Sequence, residues 1–201
     1  MHDTSPLINT NARSQQTAGD AGKTVWTVGH STRTWEAFVA LLSAHGIEAL
    51  VDVRRFPGSR RYPWFASDTM AQALDAVSVR YLWLPELGGR RKAQPGSPNG
   101  GWRNAAFQGY ADHMTSAEFA AGLERATAMA RERRTALMCA EALWWQCHRR
   151  LIADLLLHRG WQVLHILGET TAQPHQLNAD ARPVGSDLIY PPRQIGLFSA
   201  E

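Results

Sequence analysis

Residues 24–55 read TVWTVGHSTRTWEAFVALLSAHGIEALVDVRR. Two short apolar runs, Thr24–Val28 and Ala49–Val53, flank a segment of different period. Within that segment Trp35, Phe38, Val39, Leu41 and Leu42 recur at helical spacing. Thr34 is placed to cap the helix and Gly46 to end it. An apolar run such as Ala49–Val53 suits a strand buried on both faces, the usual state in a parallel sheet. The stretch is therefore a strand–helix–strand unit.

The same alternation continues downstream. A helix is expected at Ser67–Ala76, a strand at Arg80–Leu84, helices at about 104–114 and 116–133, and a strand at Thr135–Cys139. A helix at Cys147–His158 and a strand at Trp161–Leu167 complete the pattern. The expected fold class is α/β, a single-domain three-layer sandwich with a mostly parallel sheet of about five strands. Residues 1–23 lack a hydrophobic period and are expected to be a disordered tail. The domain then spans 24–192, followed by a tail at 193–201.

Composition narrows the possibilities. Of 201 residues 44% are hydrophobic, enough for a core. No apolar run reaches the roughly 18 residues of a membrane-spanning helix. The sequence opens without a basic and then apolar leader, and its two cysteines make no disulfide framework. A cytoplasmic protein without a membrane partner is the expectation. The formal charge is +3, and residues 52–103 alone hold nine bases against four acids. This clustered positive field points to an anionic partner, either a small molecule or nucleic acid.

Parallel sheets bind ligands beyond the carboxyl ends of their strands. There the sequence places Gly29-His30-Ser31, Asp52-Val53-Arg54-Arg55, Gly88-Gly89-Arg90-Arg91, Cys139-Ala140-Glu141 and Cys147-His148-Arg149. Cys147 at a helix start beside cations is a candidate nucleophile, or else a small buried packing residue. His30 is a candidate general base. Glu141 is a candidate acid/base, or an ion-pair partner of Arg54 or Arg149. Asp52, inside an apolar strand, reads as a structural orienter. Arg54, Arg55, Arg60, Arg61, Arg90, Arg91 and Arg149, with Ser31 and His148, are candidate ligand contacts. Arginine forks match planar oxyanions.

Trp64, Trp102, Trp144 and Trp145 fall in loops near the same edge and can stack on bases. Trp26, Trp35, Trp83 and Trp161 lie in periodic elements and are expected in the core. The seven-residue gap between Cys139 and Cys147 is not the CxxC spacing of thioredoxin-like chemistry. No pair among Cys147, His148, His30 and Glu141 has zinc-finger spacing, so no metal or other cofactor is assigned.

The segments TVGHSTR, GIEALVDVRRFPGSRR, LPELGGRRK, FQGYADHM, LMCAEALWWQCHRRLIADLL and RGWQVLHI occur here in order over roughly residues 24–170. On these motifs the chain resembles the DUF488 family, a bacterial and archaeal family of uncharacterised function. The resemblance implies a single α/β domain with a polar pocket built from the motifs, and it supplies no activity. Gln108 stands where the family often has Arg, and Gln146 where a basic residue is common. Neither can grip an anion by charge.

The leading expectation is an enzyme acting on a phosphate-bearing ligand, a nucleotide or nucleic acid. The rival is a non-enzymatic nucleic-acid-binding or nucleotide-sensing module. A thiol-redox or metal-binding protein is a third, weaker option.

Overall fold

The computed structural model describes residues 23–58 and 60–193. Apart from Lys23 and Arg193, the expected tails lie outside the described residues. The strands are β1 (Thr24–Gly29), β2 (Ala49–Asp52), β3 (Arg80–Trp83), β4 (Thr135–Cys139), β5 (Gln162–Gly168), β6 (Thr171–Pro174), β7 (Arg182–Val184) and β8 (Asp187–Ile189). The helices are α1 (Trp35–Ala44), α2 (Ser67–Asp75), α3 (Ala105–His113), α4 (Ala117–Glu132) and α5 (Arg149–His158). Side-chain oxygens of Thr34, Asn104 and Ser116 accept backbone N–H groups at the starts of α1, α3 and α4. Each satisfies a donor that the helix itself leaves open.

The main sheet has the order β3-β2-β4-β1-β5-β6. The first five strands in that row are parallel, and β6 is antiparallel to β5. The first two crossovers move toward the β3 edge and the next two move away from it. A constant crossover hand therefore puts their helices on opposite faces. The core follows suit. Trp26, Val28, Leu50 and Met138 pack against Phe38 and Leu42 of α1 and Met70 and Leu74 of α2. Val25, Val51, Leu137 and Cys139 pack on the other face with residues of α3, α4 and α5. Successive strand residues thus serve different layers, as a pleat requires. Among the described residues no helix is long and apolar enough to cross a membrane.

Three local expectations change. The main sheet has six strands where about five were expected, because the segment after β5 contributes the antiparallel strand β6, and it also forms the β7–β8 hairpin. The α5 helix begins at Arg149, after a short 3-10 turn at Trp144–Gln146, so Cys147 lies just ahead of it. Trp83 is 40% exposed on the edge strand β3, where only one side of the sheet continues, and its indole N–H donates to the Arg54 carbonyl.

At the end of β1, a Cβ on Gly29 would lie 1.9 Å from the Glu141 carbonyl oxygen. Only glycine allows the β4 loop to close over β1 at this point. Gly29→Ala is expected to destabilise the protein by about 1–3 kcal/mol, the usual cost of forcing volume into a packed site. A urea unfolding midpoint equal to that of the parent would refute this close approach.

Candidate functional site

The chain leaving β1 and β2 turns to one face of the sheet, while the chain leaving β4 turns to the other. A crevice opens where they diverge. The β1–β4 pairing continues into the loops, with His30 N–H donating to the Cys139 carbonyl (3.0 Å) and Ser31 N–H to that of Ala140 (2.9 Å). Two adjoining cavities of about 310 and 470 Å³ occupy the crevice. Arg54, Phe56, Arg90, Ala140, Glu141 and Gln146 line both.

Arg54 is the hub of one wall. Asp52 is fully buried and accepts from Arg54 Nε (2.9 Å), Arg54 Nη2 (2.6 Å), the Arg54 backbone N–H (3.0 Å) and the Tyr81 hydroxyl (2.7 Å). Arg54 Nη2 also donates to the Phe65 carbonyl at 2.8 Å. Its Nη1 donates to His30 Nε2 at 3.2 Å. A guanidinium only donates and a carbonyl only accepts. The His30 proton therefore sits on Nδ1, which donates to the Ser31 carbonyl at 2.9 Å. Burial, with the Arg54 charge adding to it, lowers the His30 pKa to about 4. Its ring stacks on Phe65 at 4.1 Å. His30 thus buttresses Arg54, and its one lone pair faces that guanidinium. Asp52 holds Arg54 from the opposite side.

The floor is made of sulfur and imidazole. Cys139 at the end of β4 and Cys147 before α5 are both buried free thiols. His148 Nε2–H donates to the Val53 carbonyl at 2.9 Å, which leaves the Nδ1 lone pair facing the sulfurs. Nδ1 lies 3.7 Å from Cys147 Sγ and 3.9 Å from Cys139 Sγ. Gly89 lets its loop close over this ring, since a Cβ there would meet Nδ1 at 2.8 Å. Burial pushes the Cys147 thiol up, but the Cys139 thiol, the Arg149 charge and the Arg149 backbone N–H outweigh it, and the result is about 7. The hydrogen bond to Cys147, together with burial, moves the Cys139 thiol the opposite way. Arg149, 1% exposed, donates to the carbonyls of Glu141 (2.6 Å) and Ala142 (3.0 Å), and its Nε has no partner among the described residues. No carboxylate forms an ion pair with it among the described residues.

The expected ligand residues separate into groups. Arg54, Arg55 and Arg90 line the crevice, with Arg90 exposed at a left-handed φ of 61°. Ser31 lines the larger cavity. Glu141 is exposed at the rim, and its carboxylate has no hydrogen-bond partner among the described residues. Arg60 and Arg61 are exposed and lie outside both linings, while Arg91 pairs with Glu118 at 3.1 Å. Arg149 faces its own loop. Trp64, Trp102, Trp144 and Trp145 line neither cavity; the aromatic walls are Phe56, Tyr62 and Phe107.

A family model described as "Domain of unknown function DUF488" matches residues 34–156. That span includes Asp52, Arg54, Arg90 and the sulfur–imidazole floor, and begins after His30. No curated protein and no solved structure matches the chain.

Behind the floor runs a buried polar chain that sequence reading does not reveal, because its members come from separate elements. Asp154 accepts from His175 Nε2–H (2.9 Å), the Tyr190 hydroxyl (3.0 Å) and the Asn178 backbone N–H (2.8 Å). His175 Nδ1 then accepts from His165 Nε2–H at 2.9 Å, and His165 Nδ1 accepts from the Thr27 hydroxyl at 2.7 Å. Trp144 stacks on His165 at 4.1 Å and anchors the loop that leads to Cys147. Burial first, with the Arg149 charge adding to it, lowers the His165 pKa from 6.5 to about 3. Above pH 6.5 this group adds no pH dependence, since folded and unfolded states are both deprotonated. As pH falls from 6.5 toward about 3 the unfolded chain takes the proton first, and stability is lost. The slope is about 1.4 kcal/mol per pH unit for one such proton. In ¹⁵N NMR spectra at pH 5, His165 is expected to remain neutral with its proton on Nε2. A charged His165 ring at that pH would contradict the arrangement.

Proposed function

Because the chain belongs to the DUF488 family, whose description as a domain of unknown function lends it no activity, we propose a role from the crevice itself. The protein is an enzyme acting on an anionic, phosphate-bearing ligand, a nucleotide or a nucleic acid. One observation carries this reading: three guanidiniums, Arg54, Arg55 and Arg90, line a recess above a sulfur–imidazole floor, with Glu141 its single acidic lining residue.

The parts divide the work. Arg55 and Arg90 present side chains at the rim, where a phosphate group can accept from both in forked geometry. Arg54 is locked by Asp52, Phe65 and His30, so its charge is fixed before the ligand arrives. Phe56 and Phe107 offer apolar faces to a base. The reacting group lies below, at Cys147 and His148, and Glu141 is positioned to hold or give a proton at the mouth. This chemistry needs reduced sulfur, which fits a cytoplasmic setting.

The alternative, a module that binds nucleic acid without turnover, finds support in the exposed loop carrying Arg55, Phe56, Arg60 and Arg61, where Phe56 is 65% exposed. The recess favours the enzyme, since an extended polyanion site does not require a confined floor.

Calorimetric titration with mono- and oligonucleotides at two salt concentrations tests both readings. The Arg55→Ala/Arg90→Ala double variant is expected to bind a phosphate-bearing ligand at least tenfold more weakly, because each charged hydrogen bond contributes about 1.5–3 kcal/mol. Glu141→Gln is expected to bind normally and to turn over more slowly. A steep salt slope shared by all sequences, without turnover, would favour the binding module. Unchanged affinity in the double variant would overturn the phosphate site.

A further inference from the structure

We propose that Cys139, Cys147 and His148 form a three-ligand site for a thiophilic divalent cation of the zinc class, with its fourth position open to the crevice. The inference stands on the three ligand atoms and their surroundings, and does not depend on the phosphate reading.

Distance supports it first. The two sulfurs and the imidazole Nδ1 all lie within 4.8 Å of one another. An ion about 2.3 Å from sulfur and about 2.0 Å from nitrogen, in tetrahedral geometry, sets its sulfur and nitrogen ligands about 3.6 Å apart. The two Nδ1–sulfur separations are 3.7 and 3.9 Å. Binding therefore asks for movements of a few tenths of an ångström on the imidazole side.

The imidazole is also prepared as a ligand. The Val53 carbonyl holds the proton on Nε2, which fixes the tautomer and aims the Nδ1 lone pair at the sulfurs. A ring nitrogen that donates to a carbonyl while the other faces the metal is the usual outer-shell pattern of metal-binding histidine. Tyr110 packs against the ring at 4.9 Å and keeps it oriented.

Charge points the same way. The floor is buried, with Cys139 6% and Cys147 2% exposed, so a charge placed there is poorly screened by water. Two thiolates on a divalent ion form a neutral unit, which a buried floor holds at lower cost than two unshared thiolates side by side. All three ligand residues line the smaller crevice cavity. This is the arrangement of a catalytic ion with three protein ligands and an accessible fourth position, not that of a closed structural site. An ion there would polarise an oxygen of a ligand seated between Arg55 and Arg90.

The spacing explains why the sequence hides the site. Cys139 belongs to β4 and Cys147-His148 to the approach to α5, and the intervening loop doubles back over Gly29. The ligands meet because that loop returns to its origin.

The test uses the full chain, reduced, stripped with a chelator and titrated with Co²⁺. One equivalent is expected to bind, with thiolate-to-cobalt charge transfer and the strong visible bands of tetrahedral coordination, and Zn²⁺ should displace it. Cys139→Ser, Cys147→Ser and His148→Ala should each lose these bands, while the surface variant Arg131→Ala keeps them. Thiol reactivity of the unaltered chain provides a second reading if a variant fails to fold, since Zn²⁺ should shield both cysteines from a disulfide reagent. Absence of stoichiometric cobalt uptake by the reduced chain overturns the site. So does thiol labelling that Zn²⁺ leaves unchanged, or a Cys139–Cys147 disulfide that forms in air equally fast with and without Zn²⁺. Phosphate binding is measured separately, so loss of one result leaves the other standing.

Discussion

The buried pair of Asp52 and Arg54 is the constraint on which the crevice depends. Its carboxylate sits at the end of β2 on the layer shared with α1 and α2, and it takes hydrogen bonds from Arg54 and from Tyr81 of β3. The guanidinium then reaches the Phe65 carbonyl before α2 and His30 beyond β1. Taking both charges out of water costs several kcal/mol per ion, and only the density of hydrogen bonds offsets it. Removing one partner alone typically costs about 3–5 kcal/mol, because the other charge is stranded. One ion pair therefore fixes β1, β2, β3 and the approach to α2 relative to each other. A neutral His30 follows from the same pair, since it has to accept a hydrogen bond from the cation.

Much of this was legible in the sequence. The apolar run Ala49–Val53 announced a strand buried on both faces, and β2 lies inside the sheet between β3 and β4. The carboxyl-edge rule then gathered residues from separate segments, and the structure does bring Arg54, Arg90, Cys139, Cys147 and His148 to one crevice. Periodicity failed where burial is weak. All four residues of β6 are exposed, and Pro174 ends the strand, so no apolar signal marks it. Trp83 misled for a related reason, as a large apolar residue in an edge strand has only one partner strand to cover it.

The polar interior was less legible, because hydrogen-bond partners are chosen in three dimensions. His165 sits among apolar residues of β5 and reads as part of a strand, yet its partners lie on β1 and after β6. The arginines show the same limit. Equal in sequence, they separate into Arg54 clamped, Arg91 paired to Glu118, Arg149 turned into its own loop, and Arg55 and Arg90 facing the recess. Of the nine bases in residues 52–103, only Arg54, Arg55 and Arg90 line the crevice, and the others lie outside it.

Arg149 has a further consequence. By donating from the first turn of α5 to the Glu141 and Ala142 carbonyls, it ties the loop between Cys139 and Cys147 back to the helix that follows. Trp144, pressed on His165, fixes the middle of the same loop. Its conformational entropy is therefore surrendered during folding and not at the moment of binding. A ligand entering the crevice would meet a wall already in place, and the interaction energy it gained would go into affinity or reaction rather than into ordering the chain.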